Sequence, residues 1–287
     1  MSFLKDKPSW SNNEIHKMGK ALREGRNYDK KLFAQFMLQQ TRLIKAIEPI
    51  IKDELVSSIL VEAKGNEEVE PNSNRYRYSS RLKTYQTLIE KLRRMDTTPI
   101  DRIQDIAGLR IDFDGTLEMQ DTVARRLEGA MKVSGAKKTR ILDMRSEPHS
   151  GYRAVHIHVD FPAGKAEIQI RTPLQAIWAN AYETAADIFG RAIRYQGGCE
   201  CLDKREREIV YTLHNVSDRI CHVELSQQEV RSRHRKDNKP GAIAPPVTEN
   251  NRKIEQVYAI IGDILKALRE TRNNLESSLP SPDEQKG

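Results

Sequence analysis

Apolar residues recur at steps of three and four positions between residues 12 and 60. Phe36, Ile44 and Ile51 lie on one stripe of this pattern, which is typical of amphipathic helices that pack against a core. A short helix followed by a long one is therefore predicted. Residues 62–74 lack this periodicity and contain Gly, Pro, Asn and Glu, which indicates a loop or linker.

Short β-rich runs alternate with helical segments in the middle of the chain. Strands are predicted near residues 76–79, 106–113 and 139–144, and helices near residues 84–95 and 117–132. Two further segments, residues 151–156 and 167–172, alternate in character with period two and are predicted to form one hairpin. This order predicts an α/β (α+β) fold, with a mixed sheet of four to five strands flanked by helices.

The last third of the chain is predicted to be helical. One helix runs from Pro173, a residue suited to a first helical turn, to about residue 193. After Gly197 and Gly198 the pattern predicts a charged helix at residues 202–236, a Pro-rich connection at 237–250 and a final helix at 252–271. The apolar stripe of that last helix needs a partner surface. It could close the core, build a homo-oligomer interface or dock a neutralising protein partner.

These elements divide the chain into four predicted regions. They are N-terminal helices and a linker at residues 1–74, a catalytic domain at 75–196, C-terminal helices at 197–271 and a disordered tail at 272–287.

Composition narrows the class of protein. The net charge of +7 favours anionic partners such as nucleotides or RNA, although ordinary solubility would explain it too. No apolar run approaches the roughly 20 residues that cross a bilayer, and the first residues lack the apolar core of a signal peptide. A cytoplasmic protein with no membrane partner is expected, in agreement with only three cysteines.

The predicted hairpin carries a polar face. Tyr152 and His156 alternate on its first segment, while Glu167, Gln169 and Arg171 share one face of the second. Buried polar groups must find partners, so such a face is costly as a core and useful as a nucleotide site. His158 shares the alternation of His156 and is interpreted as a supporting or rim residue.

Cations and a second carboxylate precede the hairpin. Arg81 and Lys83 lie just before a predicted helix, and Lys91 follows two turns later. These cations could face a polyphosphate, although taken alone such a helix face is usually just solvated. Asp105 opens an apolar strand, and Gly108 leaves room for close backbone approach. Alone, that aspartate is more typical of a turn or a cap.

Taken together, these residues form a set suited to phosphoryl-type transfer. Asp105 and Glu167 could supply the carboxylate oxygens that bind Mg²⁺ beside nucleotide phosphates. Such transfer requires positioning and charge neutralisation more than covalent help. The sequence contains no Walker loop, glycine-rich dinucleotide motif or kinase catalytic loop, which excludes the common nucleotide folds.

As a set, these residues resemble the synthetase domain of the RelA/SpoT alarmone synthetases, over about residues 75–195. The resemblance lies in Arg81-x-Lys83, Lys91, Asp105 with Arg110, Gly151-Tyr152-x-x-x-His156 and Glu167-x-Gln169-x-Arg171-Thr172. It implies a nucleotidyltransferase-like fold and transfer of the β,γ-pyrophosphate of ATP to the 3′-hydroxyl of GDP or GTP, which makes (p)ppGpp.

The resemblance also implies roles for individual residues. Asp105 and Glu167 would be the catalytic residues and would bind Mg²⁺, and Glu167 could orient or deprotonate the attacking hydroxyl. ATP would be bound by Arg81, Lys83, Lys91 and Arg110, with Arg81 stacked on the adenine. The acceptor would be bound by Tyr152, His156, Gln169 and Arg171, with the Tyr152 ring stacked on its base.

Two departures from other family members affect the expected activity, the first of them from the long members. The His-Asp metal motif of their hydrolase domain is missing, so synthesis without degradation is expected. Pro148 stands where many guanosine-specific members carry a Lys, four residues before the Tyr, which removes an acceptor-phosphate contact. Arg145 or His149 could replace that contact.

Two alternatives to nucleotide synthesis stay open. Certain small toxic members of the family place the pyrophosphate on the 3′ CCA end of tRNA, using basic surface beside the site. A basic cluster of this kind is present at Lys17, Lys20, Arg23, Arg26, Lys30 and Lys31, although a solvated helix face would explain it too. The other alternative is an inactive nucleotide sensor, against which the presence of both Asp105 and Glu167 argues.

Overall fold

The computed structural model describes residues 3–57, 61–62, 69, 73, 75–195, 200, 202–236 and 248–277. The chain forms two compact units. The first comprises Met1–Asp143 and Ala154–Thr172, and the second comprises Met144–Arg153 and Pro173–Gly287.

A mixed sheet forms the centre of the first unit. Its strands in chain order are β1 Val61–Glu62, β2 Arg75–Leu82, β3 Ala107–Phe113, β4 Lys138–Asp143, β5 Val155–Phe161 and β6 Gly164–Arg171. Their order in the sheet is β1-β2-β3-β6-β5-β4. The β1–β2 and β3–β6 pairs are parallel, and the other three pairs are antiparallel. The predicted mixed sheet is thus confirmed, with five longer strands and the two-residue β1 added.

Four α-helices belong to this unit among the residues described: α1 Asn12–Arg23, α2 Lys30–Val56, α3 Tyr85–Arg94 and α4 Leu117–Val133. α1 begins at a capping box. The Ser11 hydroxyl accepts a hydrogen bond from the Glu14 backbone N–H, and the Glu14 carboxylate accepts one from the Ser11 backbone N–H. Thr84 caps α3 by accepting from the Thr87 backbone N–H. These caps fix the helix starts close to the predicted positions.

The apolar face of the sheet is covered by α2 and α4. The stripe of α2 that includes Ile47 and Ile51 packs in one buried cluster with Leu127 of α4 and with Ile111 and Ile168 of the sheet. A smaller cluster joins α1 to α3. Since one sheet face is buried in this way, strand alternation directs the intervening side chains to the other face.

The second unit contains α5 Pro173–Phe189, α6 Lys204–Lys236 and α7 Thr248–Ser277. Trp178 of α5, Leu213 of α6, and Val257 and Ile261 of α7 share one buried cluster. The apolar stripe of α7 is therefore buried within its own chain, which confirms the first of the three roles considered for it.

Some predicted segments lie outside the described residues. They are residues 63–68, 70–72 and 74 of the linker, 196–199 with the Gly pair, 237–247 of the Pro-rich connection and 278–287 of the tail. The final helix extends to Ser277, past its predicted end at residue 271. Of the helices in the described part of the chain, none has the length and apolar character that a membrane span requires.

Candidate active site

Cross-strand pairing aligns the polar residues of the first unit in rows. Gly108 is the Cα partner of both Arg81 on β2 and Glu167 on β6, and Glu167 is also paired with His158 on β5. Directly opposed residues place their side chains on the same sheet face. One row therefore runs Arg81, Gly108, Glu167, His158 across four strands.

Gly108 leaves a gap in this row. It separates the cation of Arg81 from the carboxylate of Glu167 without adding a side chain. A Cβ atom at this position would lie 3.2 Å from the backbone oxygen of Arg81, tighter than ordinary van der Waals contact. The close backbone approach predicted at Gly108 is therefore present, and the gap has a cation on one side and an anion on the other.

The Glu167 carboxylate is buried and surrounded by hydrogen-bond donors. His156 Nδ1 and His158 Nε2 lie 3.2 and 3.1 Å from Glu167 Oε1, and Gln169 Nε2 donates to Oε2 at 2.8 Å. Burial alone raises the pKa of Glu167, but the hydrogen bonds from the two histidines outweigh it, so that the pKa is well below the usual range. Glu167 is ionised at neutral pH.

Asp105 lies between two lysines just before β3. Its Oδ2 atom is 3.0 Å from Lys83 Nζ, and its Oδ1 atom is 2.7 Å from Lys91 Nζ. Burial lowers the pKa of Lys83, and the nearby Asp105 carboxylate opposes that shift. Two ammonium groups around one carboxylate leave this corner of the unit with excess positive charge, which suits a polyphosphate.

Arg171 forms a buried ion pair. Its Nε donates to Asp112 Oδ1 at 2.8 Å, and Arg77 Nη2 donates to Asp112 Oδ2 at 2.9 Å. Arg171 and Asp112 are each 1% exposed. The three residues form another row of the polar face, because Asp112 is the Cα partner of both arginines.

Tyr152 lies in the second unit, and its predicted place on a strand is wrong. β5 begins only at Val155, and His149 and Tyr152 form an isolated antiparallel bridge. Between them Ser150 has φ +50° and Gly151 has φ +82°. Two successive positive φ angles turn the chain sharply, as type I′ turns require, so this segment cannot be extended.

The Gly151–Tyr152 turn is held by α5 and α6. Ser217 Oγ donates to the Gly151 carbonyl oxygen. The buried Arg153 donates to Ser217 Oγ at 3.0 Å, to Asp218 Oδ1 at 2.8 Å and to the carbonyl oxygen of Arg145. Tyr152 packs beside the apolar cluster of these helices.

Gly151→Ala is expected to destabilise the protein. A Cβ at Gly151 would lie 2.8 Å from Trp178 Cζ2, whereas one at Gly190, also with positive φ, would meet nothing within 4 Å. Both substitutions strain the backbone. In Gly151→Ala, but not in Gly190→Ala, overpacking lowers the free energy of unfolding by about 1–3 kcal/mol more. Urea unfolding of the two variants measures the difference, and equal losses would contradict the proposed contact.

The carboxylates offer the ligand chemistry that Mg²⁺ requires. Asp105 and the ionised Glu167 present oxygen atoms, which this ion prefers. Within the described residues, the side chains that converge as a group of three possible metal ligands are His156, His158 and Glu167, and this group does not include Asp105.

Two residues outside the ten predicted for the site contact members of that set, namely His158 and Asp112. His158 contacts Glu167 directly, and the period-two alternation with His156 was the available signal. Asp112 carries no local signal, because its partner Arg171 is 59 positions away in the sequence.

A solved structure shares this fold. The crystal structure of small alarmone synthetase 1 from Bacillus subtilis matches with a TM-score of 0.51 and 18% identity, over 72% of this chain and all of that one. A second structure of that protein, bound to AMPCPP, matches with a TM-score of 0.46 and 19% identity over the same shares. At these identities the first likeness concerns the fold alone.

Sequence comparison supports the same family resemblance. Residues 80–188 match the profile described as the region found in RelA / SpoT proteins. All ten residues predicted for the site lie within the matched segment.

Uncharacterized proteins of Mycobacterium bovis and of two Mycobacterium tuberculosis strains are 40% identical to this chain over 196 residues. The match covers 67% of this chain and 64% of each relative.

Proposed function

We propose that this protein transfers the β,γ-pyrophosphate of ATP to the 3′-hydroxyl of GDP or GTP and so makes (p)ppGpp in the cytoplasm. The observation that carries the proposal is the row Arg81, Gly108, Glu167, with its gap at the glycine. Asp105, three residues before that glycine, has Lys83 and Lys91 on its two oxygens. A cation, a polyphosphate-binding corner and an ionised carboxylate are the groups that such a transfer uses.

The donor nucleotide has candidate contacts in the first unit. In the proposed complex Arg81 stacks on the adenine, while Lys83, Lys91 and Arg110 contact the phosphates. Arg110 is the Cα partner of Gln169, one row from the gap. Asp105 and Glu167 would hold Mg²⁺, which when bound neutralises phosphate charge.

The acceptor has a second set of candidate contacts. Tyr152 is proposed to stack on the acceptor base, and His156, Gln169 and Arg171 to support the acceptor pocket. His156 and Gln169 act at least in part through Glu167, to which both are hydrogen bonded. Arg171 acts through Asp112, because its guanidinium is buried in that ion pair.

The proposed reaction is a single displacement at the β-phosphorus of ATP. The 3′-hydroxyl oxygen of the acceptor bonds to the β-phosphorus of ATP. The bond from that phosphorus to the oxygen bridging to the α-phosphate breaks, and AMP leaves. Glu167 accepts the hydrogen bond of the hydroxyl, orients it and receives its proton, which then passes to solvent.

The tRNA alternative receives less support from the N-terminal helices. Arg23 donates to the carbonyl oxygens of Leu92 and Thr98, and it is only partly exposed. Lys20 and Arg26 both pair with Glu24. Intramolecular partners thus engage part of the basic cluster that a tRNA backbone would need.

A label-transfer assay tests the proposal. The purified chain is incubated with γ-labelled ATP, Mg²⁺ and GDP, GTP or deacylated tRNA. We expect label on GDP or GTP. Label on tRNA alone would establish the alternative acceptor, and no transfer to any acceptor would favour the inactive sensor.

A further inference from the structure

His156, His158 and Glu167 converge as metal ligands. One ligand atom from each residue lies within 4.8 Å of the other two. His156 Nδ1 and His158 Nε2 are 3.2 and 3.1 Å from Glu167 Oε1. Neighbouring ligands of a tetrahedral Zn²⁺, with bonds of about 2.0–2.2 Å, are about 3.4 Å apart, so the two distances between histidine and glutamate need only a small expansion.

The donor set differs from that of a magnesium site. Two imidazoles and one carboxylate suit Zn²⁺ or Co²⁺, whereas Mg²⁺ prefers oxygen ligands. His156 and the two other ligands stand on paired strands, so their backbones are fixed before any ion binds. Gln169 Nε2 holds Glu167 Oε2, as partners that orient metal-bound carboxylates commonly do.

Access and an open coordination position also fit this interpretation. His156 and Glu167 are buried, but the side chain of His158 is 26% exposed and connects the cluster to solvent. Three protein ligands leave a fourth position for water, as in zinc sites with two histidines and one glutamate. His158 lies outside the motifs on which the family resemblance rests.

We propose that His156, His158 and Glu167 bind a divalent ion of the Zn²⁺ class, and that this ion inhibits the enzyme by occupying the Glu167 carboxylate. The inhibitory part rests on the proposed function, since it requires Glu167 to act in the transfer. The binding part does not. Zn²⁺ binds sites that contain imidazole more tightly than Mg²⁺ does, because Mg²⁺ prefers oxygen ligands, so Mg²⁺ would not displace it readily.

Cobalt binding tests the site without substrate. Co²⁺ is titrated into the full chain, and its visible d–d absorption is followed. We expect one tetrahedral Co²⁺ per chain, displaced by Zn²⁺ and bound at least about tenfold more weakly by His158→Leu and His156→Gln. His222→Leu, which removes an exposed histidine on α6, is the matched control and should bind like the wild type. Circular dichroism establishes that each variant is folded.

Two results would overturn the site. One is the absence of a tetrahedral cobalt spectrum with the wild type. The other is a spectrum unchanged in both folded variants, which would place the ion elsewhere, for example at the cysteines.

Inhibition is then measured in the label-transfer assay, with each variant compared with its own zinc-free rate. We expect His158→Leu to raise the half-inhibitory Zn²⁺ concentration at least about tenfold. An unchanged inhibitory concentration would overturn the inhibitory role. Cobalt binding by a protein that transfers no label would contradict the proposed function and leave the metal site standing.

Discussion

Glu167→Gln is expected to reduce pyrophosphate transfer about 10²–10⁴-fold, the range associated with loss of a positioned acid–base group. The amide has nearly the shape of the carboxylate, but it carries no charge for Mg²⁺ and cannot accept the hydroxyl proton. The measurement is the initial rate of label transfer at saturating ATP.

The fold should survive this substitution. The amide oxygen can still accept one imidazole hydrogen bond, so the free energy of unfolding is expected to fall by only about 1–3 kcal/mol. Glu118→Gln, on the exposed side of α4, is the matched control and should retain the wild-type rate. A Glu167→Gln variant with full activity would show that this carboxylate is not catalytic.

Arg171→Met is expected to lower the free energy of unfolding by about 3–5 kcal/mol, the usual cost of removing one partner from a buried ion pair. Asp112 would keep only Arg77, which is itself partly exposed. Urea unfolding without substrate measures this loss independently of any role in acceptor binding.

A double variant separates the effect of the broken ion pair on stability from the effect of the lost arginine packing. Asp112→Asn combined with Arg171→Met removes the unpaired charge and should recover part of the stability. Arg140→Met, at an exposed position of β4, should change stability by no more than about 0.5 kcal/mol. Wild-type stability in Arg171→Met would mean that the ion pair does not anchor β3 to β6.

Local periodicity was enough to predict most of the elements. The helix predicted at residues 84–95 is observed at Tyr85–Arg94. It could be predicted because its apolar stripe and its Thr84 cap are both local signals. Strand alternation likewise placed Glu167, Gln169 and Arg171 on one face, as the register of β6 with β3 shows.

Two features of the candidate site depend on information that local periodicity lacks. The turn before Tyr152 needs a positive φ at Ser150, a conformation that serine rarely adopts and that no spacing indicates. The ion pair of Asp112 with Arg171 joins residues 59 positions apart through parallel pairing of β3 and β6. Only the sheet order brings those residues together.

The most direct test of the account compares ATP labelled at the β-phosphate with ATP labelled at the γ-phosphate, in the presence of Mg²⁺ and GDP or GTP. Pyrophosphate transfer predicts that both labels reach the acceptor in equal amounts, with one AMP released for each acceptor modified. Movement of the γ label alone with release of ADP, or formation of AMP without labelled acceptor, would contradict it.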